Sequence, residues 1–273
     1  MLRLFLRAAR ETFHPVSFIV RVPLFLGLLK MDPQIEIGYW AIRGLAAPLR
    51  MMCVYKSANF KDVSYNTTQK EDGSWDQDGW FEETKPALRK INPLINLPYV
   101  KTSDSEIVAQ SNACLLYLSR RLGLSGLTER EQADNEQCLF QVFDLRNDHI
   151  ALVYTDSELE NAESPTAHFD SNKDAYLDST VVTHYTKFED WLAAHSGRKF
   201  LVKDEPLAAD FHLWEMLDQH EALAKFVGKQ SLLDRFPELK RYYAEFRALP
   251  TLKPYFDSQM SKYPINLPMA AFF

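Results

Sequence analysis

The chain has 273 residues, of which 46% are hydrophobic and 25% charged, a composition typical of folded globular proteins and unlike disordered or collagen-like chains. Its formal net charge of −6 supplies no overall positive field for a polyanion, so we expect no nucleic acid partner. The three cysteines have neither paired nor His-rich spacing. This pattern predicts no disulfide framework, no metal site and a reducing compartment.

The first thirty residues differ in charge from the rest of the chain. Residues 1–30 contain five basic residues and a single acid, Glu11. Arg3, Arg7 and Arg10 recur at helical spacing opposite apolar side chains, which is typical of a mitochondrial presequence. We therefore expect a cytoplasmic protein, with mitochondrial location as the alternative if this segment is a genuine presequence.

Two other interpretations of this extension remain open. The apolar run from Thr12 to Leu29 is broken by prolines and by Arg21, whose insertion into a bilayer is costly, so it is a poor membrane span. This apolar run could still anchor the protein to a membrane surface without crossing it. Alternatively, Met31 is the functional start and the preceding residues are a tail or a gene-model artefact.

From Met31 the sequence predicts a small α/β domain at 31–119. Runs rich in strand formers alternate with segments of helical period, as in a strand-helix-strand unit followed by a hairpin and a helix. In chain order the predicted elements are strand Ile35–Tyr39, helix Ala46–Ser57, strand Phe60–Asn66, strands Tyr99–Thr102 and Glu106–Val108, and helix Ser111–Arg121.

A linker at Gly123–Gly126 leads into an all-helical domain at 124–273. Every periodic segment beyond it has helical spacing, and glycine or proline separates the segments. The polar stretch Asp156–Asp178 is expected to be a solvated loop or a frayed helix end. The predicted helices are Glu129–Tyr154, Lys173–His195, Asp210–Val227 and Glu238–Leu249.

Candidate site residues cluster where strands end and helices begin. Tyr39 ends the first strand, where its phenol can donate a hydrogen bond to a thiolate, although a core or rim tyrosine is the alternative. Leu97 precedes Pro98 at a strand entry, where cis bonds collect; an ordinary trans proline is the alternative. Ser111 is predicted to cap a helix whose N-terminus can bind a carboxylate, or simply to cap it.

Other candidates depend more strongly on the tertiary fold. Trp80 and Lys85 lie in a polar stretch and could clamp a second carboxylate, unless Lys85 is a solvated loop lysine. Asp144 and Tyr154 share a long predicted helix and could face the cleft between the domains, although an acid on a helix is usually just surface.

The order of these motifs resembles the glutathione-binding domain of cytosolic glutathione transferases, closest to the mu class. The resemblance rests on Gly38–Ala46, Asn96–Tyr99 and Gln110–Ala113, and extends to the late helices at Ala209–Phe211 and Phe236–Lys240. It implies a thioredoxin-like N-terminal domain and an all-α C-terminal, electrophile-binding domain. It also implies a homodimer that conjugates glutathione, as co-substrate, to small hydrophobic electrophiles in detoxification and glutathione metabolism.

The resemblance also implies roles for individual residues. Tyr39 would stabilise the glutathione thiolate, Leu97 before a cis Pro98 would pair its backbone with the cysteinyl part, and Asp144 would reach the γ-glutamyl amine across the dimer interface. The remaining assignments are Gln110 and Ser111 to the γ-glutamyl carboxylate, Trp80 and Lys85 to the glycyl carboxylate, Trp40, Leu45 and Asn96 to the rest of the glutathione site, and Tyr154 to the electrophile site.

The sequence departs from the mu pattern at several points. Ala41 replaces an acid, residues 70–90 and Thr155–Asp178 are longer than usual, and Leu207 stands where the family has a capping Ser or Thr. Together with the extension, these departures keep an alternative function open, that of a non-catalytic subunit or ligand-binding protein in a membrane-associated assembly.

Overall fold

The computed structural model describes residues 34–154 and 165–273, which lie in one compact unit. The interpretations of residues 1–30 as presequence, anchor or tail concern a segment outside these ranges. Within the two ranges, no helix is both long and apolar enough to cross a bilayer.

The chain from Ile35 to Leu122 alternates strands with helices, as the sequence predicts. Its elements are β1 Ile35–Trp40, α1 Ala47–Tyr55, β2 Phe60–Tyr65, β3 Thr68–Gln69, β4 Trp75–Asp76, α2 Lys85–Arg89, β5 Tyr99–Ser103, β6 Glu106–Ala109 and α3 Ser111–Leu122. The main sheet has four strands in the order β2-β1-β5-β6. β1 runs parallel to β2, through the α1 crossover, and antiparallel to β5, which pairs antiparallel with β6.

The centre of this sheet is packed tightly around β1. Gly38 on β1 lies beneath the ring of Tyr99 on β5, and a Cβ at this position would overlap that ring. Glycine is therefore required here for close approach. On the other side of β1, Arg50 of α1 is fully buried, and its guanidinium donates to Asp62 Oδ1 at 2.8 Å and to the Ile42 carbonyl at 2.6 Å. These bonds fix α1 against β2 and against the turn that follows β1.

The second half of the chain is helical. The helices are α4 Glu129–Val153, α5 Pro165–Ala175, α6 Val181–Ala194, α7 Ala208–Phe226, α8 Pro237–Arg247 and α9 Lys253–Asp257. Almost all of α7 is buried, and both α4 and α1 pack against it. Its buried residues are mostly apolar, as the core of a helical domain requires, but they include five polar side chains: Asp210, His212, Glu215, Gln219 and His220. The expected fold class, a small α/β domain followed by an all-helical one, is confirmed.

The prediction of a loop or frayed end over Asp156–Asp178 is wrong for the part that the structure describes. Residues 165–175 form α5, which continues through a π-helical turn at Tyr176–Thr180 into α6. Phe169 and Tyr176 point inward from this stretch and are 3% and 6% exposed. These few buried side chains anchor a helix whose other residues are mostly polar. The high average polarity of the stretch therefore led to a wrong prediction of a loop.

The start of α7 has the incomplete cap that its sequence indicates. Leu207 offers no side-chain acceptor, but Asp210 Oδ2 accepts the Leu207 N–H at 2.8 Å, and Asp210 Oδ1 accepts the Leu201 N–H at 3.0 Å. The Asp210 side chain is fully buried. A single carboxylate thus satisfies two buried donors at the entrance to the central helix.

We expect the substitution Asp210→Asn to lower the free energy of unfolding by about 2–3 kcal/mol. The NH₂ group of the asparagine would face one of these two buried N–H groups, which would then lack an acceptor. Chemical denaturation of the purified protein measures this change. Asp190→Asn is the matched control, at an exposed position on α6 that makes no hydrogen bond to a described residue, and it should stay within about 0.5 kcal/mol of the wild type. Equal effects of the two variants would contradict the role of Asp210.

Candidate active site

The strand register brings the predicted site motifs to one edge of the sheet. Gly38 pairs with Tyr99, and Tyr99 pairs with Ala109. Tyr39 therefore lies near the Leu97–Pro98 pair, and α3 begins just beyond Ala109 at the same edge. Residues far apart in the chain converge there because β1, β5 and β6 are neighbours in the sheet.

Tyr39 is held by packing and keeps its hydroxyl free. The side chain is 5% exposed, and its hydroxyl makes no hydrogen bond to any residue that the structure describes. Its ring lies against Gly44, where a Cβ would stand 2.7 Å from Tyr39 Cε1 and 2.9 Å from Tyr39 Oη. Gly44 also has a φ of +36°, a conformation that other residues rarely adopt. The glycine thus leaves the room that the phenol occupies.

An ion-paired group holds the loop that carries Gly44. Arg43 donates to Glu215 Oε1 at 3.0 Å and Oε2 at 2.9 Å, and to Asp218 Oδ2 at 2.6 Å. The Glu215 side chain is fully buried on α7, and this burial raises its pKa even though Arg43 acts in the opposite direction. The sequence offered no sign of this group, because its members are far apart in the chain.

The Leu97–Pro98 peptide bond is cis, as the resemblance implies. Pro98 is buried, Leu97 is half-buried, and Asn96 is exposed. Neither the N–H nor the C=O of Leu97 bonds to another residue of the described chain. The backbone of Leu97 is thus available to pair with an extended ligand at the edge where Tyr39 lies.

The N-terminus of α3 also lacks partners within the part of the chain that the structure describes. The helix begins at Ser111, so the cap residue is Gln110 and the prediction of Ser111 as the cap is wrong by one position. Gln110 has a φ of 72° and makes no side-chain capping bond. The first helical bond joins Cys114 N–H to the Gln110 carbonyl at 2.8 Å, and the N–H groups of Ser111, Asn112 and Ala113 bond to no described residue.

Gln110 holds an unusual conformation at this helix end. A non-glycine residue with positive φ costs on the order of 1–3 kcal/mol and persists where the surrounding structure enforces it. Such strain clusters at functional sites. The unbonded N–H groups and the positive end of the helix dipole make this terminus suited to an anion.

Trp80 and Lys85 come together, but not in a solvated loop. Trp80 is 1% exposed and packs between Tyr65, at a ring distance of 5.2 Å, and Tyr99, at 6.1 Å. Lys85 starts α2, and its Nζ lies 5.8 Å from the Trp80 ring centroid and 5.0 Å from that of Phe81. Lys85 has no ion pair with a residue in the described ranges. Its charge is thus held near Trp80 and remains free for a ligand.

Trp40 and Leu45 border the same region. Trp40 is half-buried at the end of β1, and its ring lies 6.1 Å from that of Phe81. Leu45 is half-buried and packs against the main hydrophobic core. Their side chains therefore present apolar surface next to Tyr39, and the Trp40 indole has no hydrogen bond to a residue within 34–154 or 165–273.

Asp144 and Tyr154 lie on α4 and at its end, in different environments. Asp144 is exposed and has no partner among the described residues, and Phe140, one turn earlier, is 48% exposed. The Tyr154 hydroxyl accepts the N–H of Leu267 from the C-terminal tail at 2.8 Å. Burial raises the pKa of Tyr154 to about 12. The two residues therefore do not share one surface, and Tyr154 is tied to the tail.

This fold and site define a protein of the glutathione transferase type, and the comparisons with known proteins agree. The family model "Glutathione S-transferase, C-terminal domain" matches residues 143–259. Glutathione S-transferase Mu 1 of Oryctolagus cuniculus is 31% identical over 237 residues, which is 86% of this chain and 96% of the relative. Glutathione S-transferase 2 of Onchocerca volvulus is 29% identical over 233 residues, with 85% and 96% covered.

Solved structures show the same fold. The pi-class glutathione S-transferase of Onchocerca volvulus matches with a TM-score of 0.67 at 26% identity, over 85% of this chain and 97% of that one. The glutathione S-transferase Blo t 8 matches with a TM-score of 0.70 at 24% identity, over 87% and 99%. The chain belongs to the glutathione S-transferase family and is similar to its mu class.

We expect Gly44→Ala to lower kcat/KM for glutathione conjugation by about 100-fold, because the added methyl group displaces the Tyr39 phenol. Steady-state kinetics on the folded variant measures this loss. Gly228→Ala is the control, since Gly228 also has a positive φ, +76°, but nothing lies within 4 Å of its added Cβ. If both variants kept wild-type activity, the close approach of Gly44 to Tyr39 would have no catalytic importance.

Proposed function

We propose that this protein activates the thiol of glutathione at Tyr39 and transfers it to small hydrophobic electrophiles. The observation that carries the proposal is the convergence of unbonded groups at one sheet edge: the Tyr39 hydroxyl, the Leu97 backbone and the N-terminus of α3. In the reaction the thiol gives its proton to solvent, and the thiolate sulfur then forms a bond to the electrophilic carbon as the leaving group departs with its electron pair. A hydrogen bond from Tyr39 to the sulfur favours the thiolate, and each unit by which it lowers the thiol pKa corresponds to about 1.4 kcal/mol.

Glutathione, as co-substrate, matches the free groups of the site in shape and charge. The Leu97 N–H and C=O would pair with the cysteinyl residue, next to Asn96. The γ-glutamyl carboxylate would accept hydrogen bonds from the N–H groups at the N-terminus of α3, beside Gln110 and Ser111. The glycyl carboxylate would bind the charge of Lys85, with the indole of Trp80 beside it and Trp40 and Leu45 along the wall. No metal takes part in this scheme, and no group of three potential metal ligands occurs within 34–154 or 165–273.

The electrophile would enter next to Tyr39, on the side of the helical domain. Tyr154 is proposed to border this pocket through its ring, because its hydroxyl is engaged by Leu267. The C-terminal tail would then form part of the pocket wall. We further propose the domain division inferred from the sequence, a glutathione-binding domain at 31–119 and an electrophile-binding domain at 124–273, with cytoplasmic location.

We propose a homodimer in which Asp144 completes the site of the partner. Asp144 is exposed and pairs with no residue in the described ranges, and the exposed ring of Phe140 lies on the same face of α4, which suits burial against a second copy. An acid from one subunit would there meet the γ-glutamyl amine held by the other. A non-catalytic subunit or ligand-binding role has no specific observation in its favour.

Tyr39→Phe should leave glutathione affinity nearly unchanged and lower turnover, because only the thiolate gains from the phenolic donor. Spectroscopic titration of bound glutathione should show a thiol pKa raised towards its solution value. Tyr55→Phe is the matched control, since the Tyr55 hydroxyl makes no hydrogen bond within the described chain. An unchanged thiol pKa in Tyr39→Phe would show that another group activates the thiol.

Asp144→Ala should weaken glutathione binding, and mixed dimers with Tyr39→Phe chains should recover activity. Each mixed dimer contains one site with both residues intact if Asp144 acts across the interface, whereas a cis arrangement would damage both sites. Co-expressed, differently tagged chains allow purification of the mixed dimer for conjugation assays. Activity no higher than in either parent variant would contradict the trans assignment, and Asp190→Ala serves as a surface control.

A further inference from the structure

A cavity lies beside the loop that carries Gly44. It has a volume of about 260 Å³ and lies between that loop, α7, α8, α9 and the turn at residues 259–262. Its lining residues include Arg43, Asp218, Arg247, Tyr255, Phe256 and Lys262. None of them belongs to the glutathione site proposed above.

The charges around this cavity are not balanced. Asp218 is engaged through both carboxylate oxygens, one accepting from Arg43 at 2.6 Å and the other from the Tyr243 hydroxyl at 2.5 Å. Arg43 is in turn shared between Asp218 and Glu215. Arg247 and Lys262 have no ion pair with any residue that the structure describes. The cavity therefore has two uncompensated positive charges on its walls.

Arg247 is oriented by the aromatic wall of the cavity. Its guanidinium carbon stands 3.7 Å from the centroid of the Phe256 ring, within the range of a cation–π contact. Stacking on a ring face leaves the N–H groups at the edge of the guanidinium plane free to donate. A planar fork of such donors matches the oxygens of a carboxylate or a phosphate.

Tyr255 supplies a buried donor with no acceptor among the described residues. The residue lines the cavity, is 1% exposed, and its hydroxyl makes no hydrogen bond within 34–154 or 165–273. Burial raises the pKa of Tyr255, and the phenol consequently remains protonated and can donate. An unsatisfied buried hydroxyl is unfavourable, and an acceptor inside the cavity would remove that cost.

We propose that this cavity, defined by Arg247, Tyr255 and Lys262, binds a small oxyanion, namely a compound bearing a phosphate or carboxylate group. Arg247 and Lys262 attract and pair with the anion, and the Tyr255 hydroxyl donates to one of its oxygens. The volume admits a ligand the size of inorganic phosphate or a short dicarboxylate. This site is separate from glutathione conjugation and does not depend on the role proposed for Tyr39.

Isothermal titration calorimetry with inorganic phosphate, and in a second arm with malonate, tests the proposal on the full chain. S-methylglutathione at saturating concentration keeps the proposed glutathione site, including the N-terminus of α3, occupied. We expect saturable binding to the wild type and about tenfold weaker binding to Arg247→Gln, Lys262→Gln and Tyr255→Phe. Tighter binding of phosphate than of malonate would indicate a phosphate compound as the ligand, and the reverse order would indicate a carboxylate.

Two controls match the charged variants. Arg235→Gln removes an arginine that also lies over an aromatic ring, that of Phe236, but outside the cavity. Lys56→Gln removes an exposed lysine that has no ion pair in the described part of the chain. Both should bind as the wild type does. Circular dichroism verifies that each variant is folded; because Arg247 and Lys262 are exposed, their substitution leaves the core intact.

Three results would overturn the proposal. They are the absence of saturable binding to the wild type, equal weakening in the cavity variants and the controls, and binding that appears only when S-methylglutathione is omitted. The last result would assign the anion to the glutathione site. Conjugation kinetics of the same variants should match the wild type. A negative result for the anion site would therefore not contradict the role of Tyr39, which the Tyr39→Phe variant tests separately.

Discussion

The ion-paired group of Arg43, Glu215 and Asp218 is the interaction on which the proposed site depends. Glu215 is fully buried in the central helix α7, and a buried carboxylate without a cation would cost several kcal/mol. Arg43 can meet this requirement only if the loop after β1 lies against α7. The position of Gly44, and with it the space for the Tyr39 ring, follows from that contact between the two halves of the chain.

The C-terminal tail reinforces the same arrangement from the other side. The Arg43 N–H donates to the Pro264 carbonyl at 2.7 Å, and the Gly44 N–H donates to the Ile265 carbonyl at 3.1 Å. Further along, Leu267 donates to the Tyr154 hydroxyl. One strip of backbone thus connects the loop beside Tyr39 to the end of α4, which explains why a tail without regular structure is held in place.

Local sequence predicted much of the fold because each signal was itself local. Alternating and helical periods placed β1 and α3 to within a residue or two, and Leu97–Pro98 has the cis bond that the motif implies. The errors arose where a few side chains outweighed average composition. Phe169 anchors a helix in a polar stretch, and Trp80 lies in the core although most residues from 70 to 90 are polar.

What the sequence by itself determined is the class of fold, the family resemblance and the chemical types gathered at the site, because these follow from periodicity and short motifs. Only the tertiary structure decided which groups are free. Among the described residues, the Tyr39 hydroxyl and the first three N–H groups of α3 lack partners, whereas the Tyr154 hydroxyl accepts a hydrogen bond from the tail. The Arg43 group and the cavity beside Tyr255 were likewise invisible in sequence, because their members meet only when separate elements pack, and no local pattern encodes a contact between distant segments.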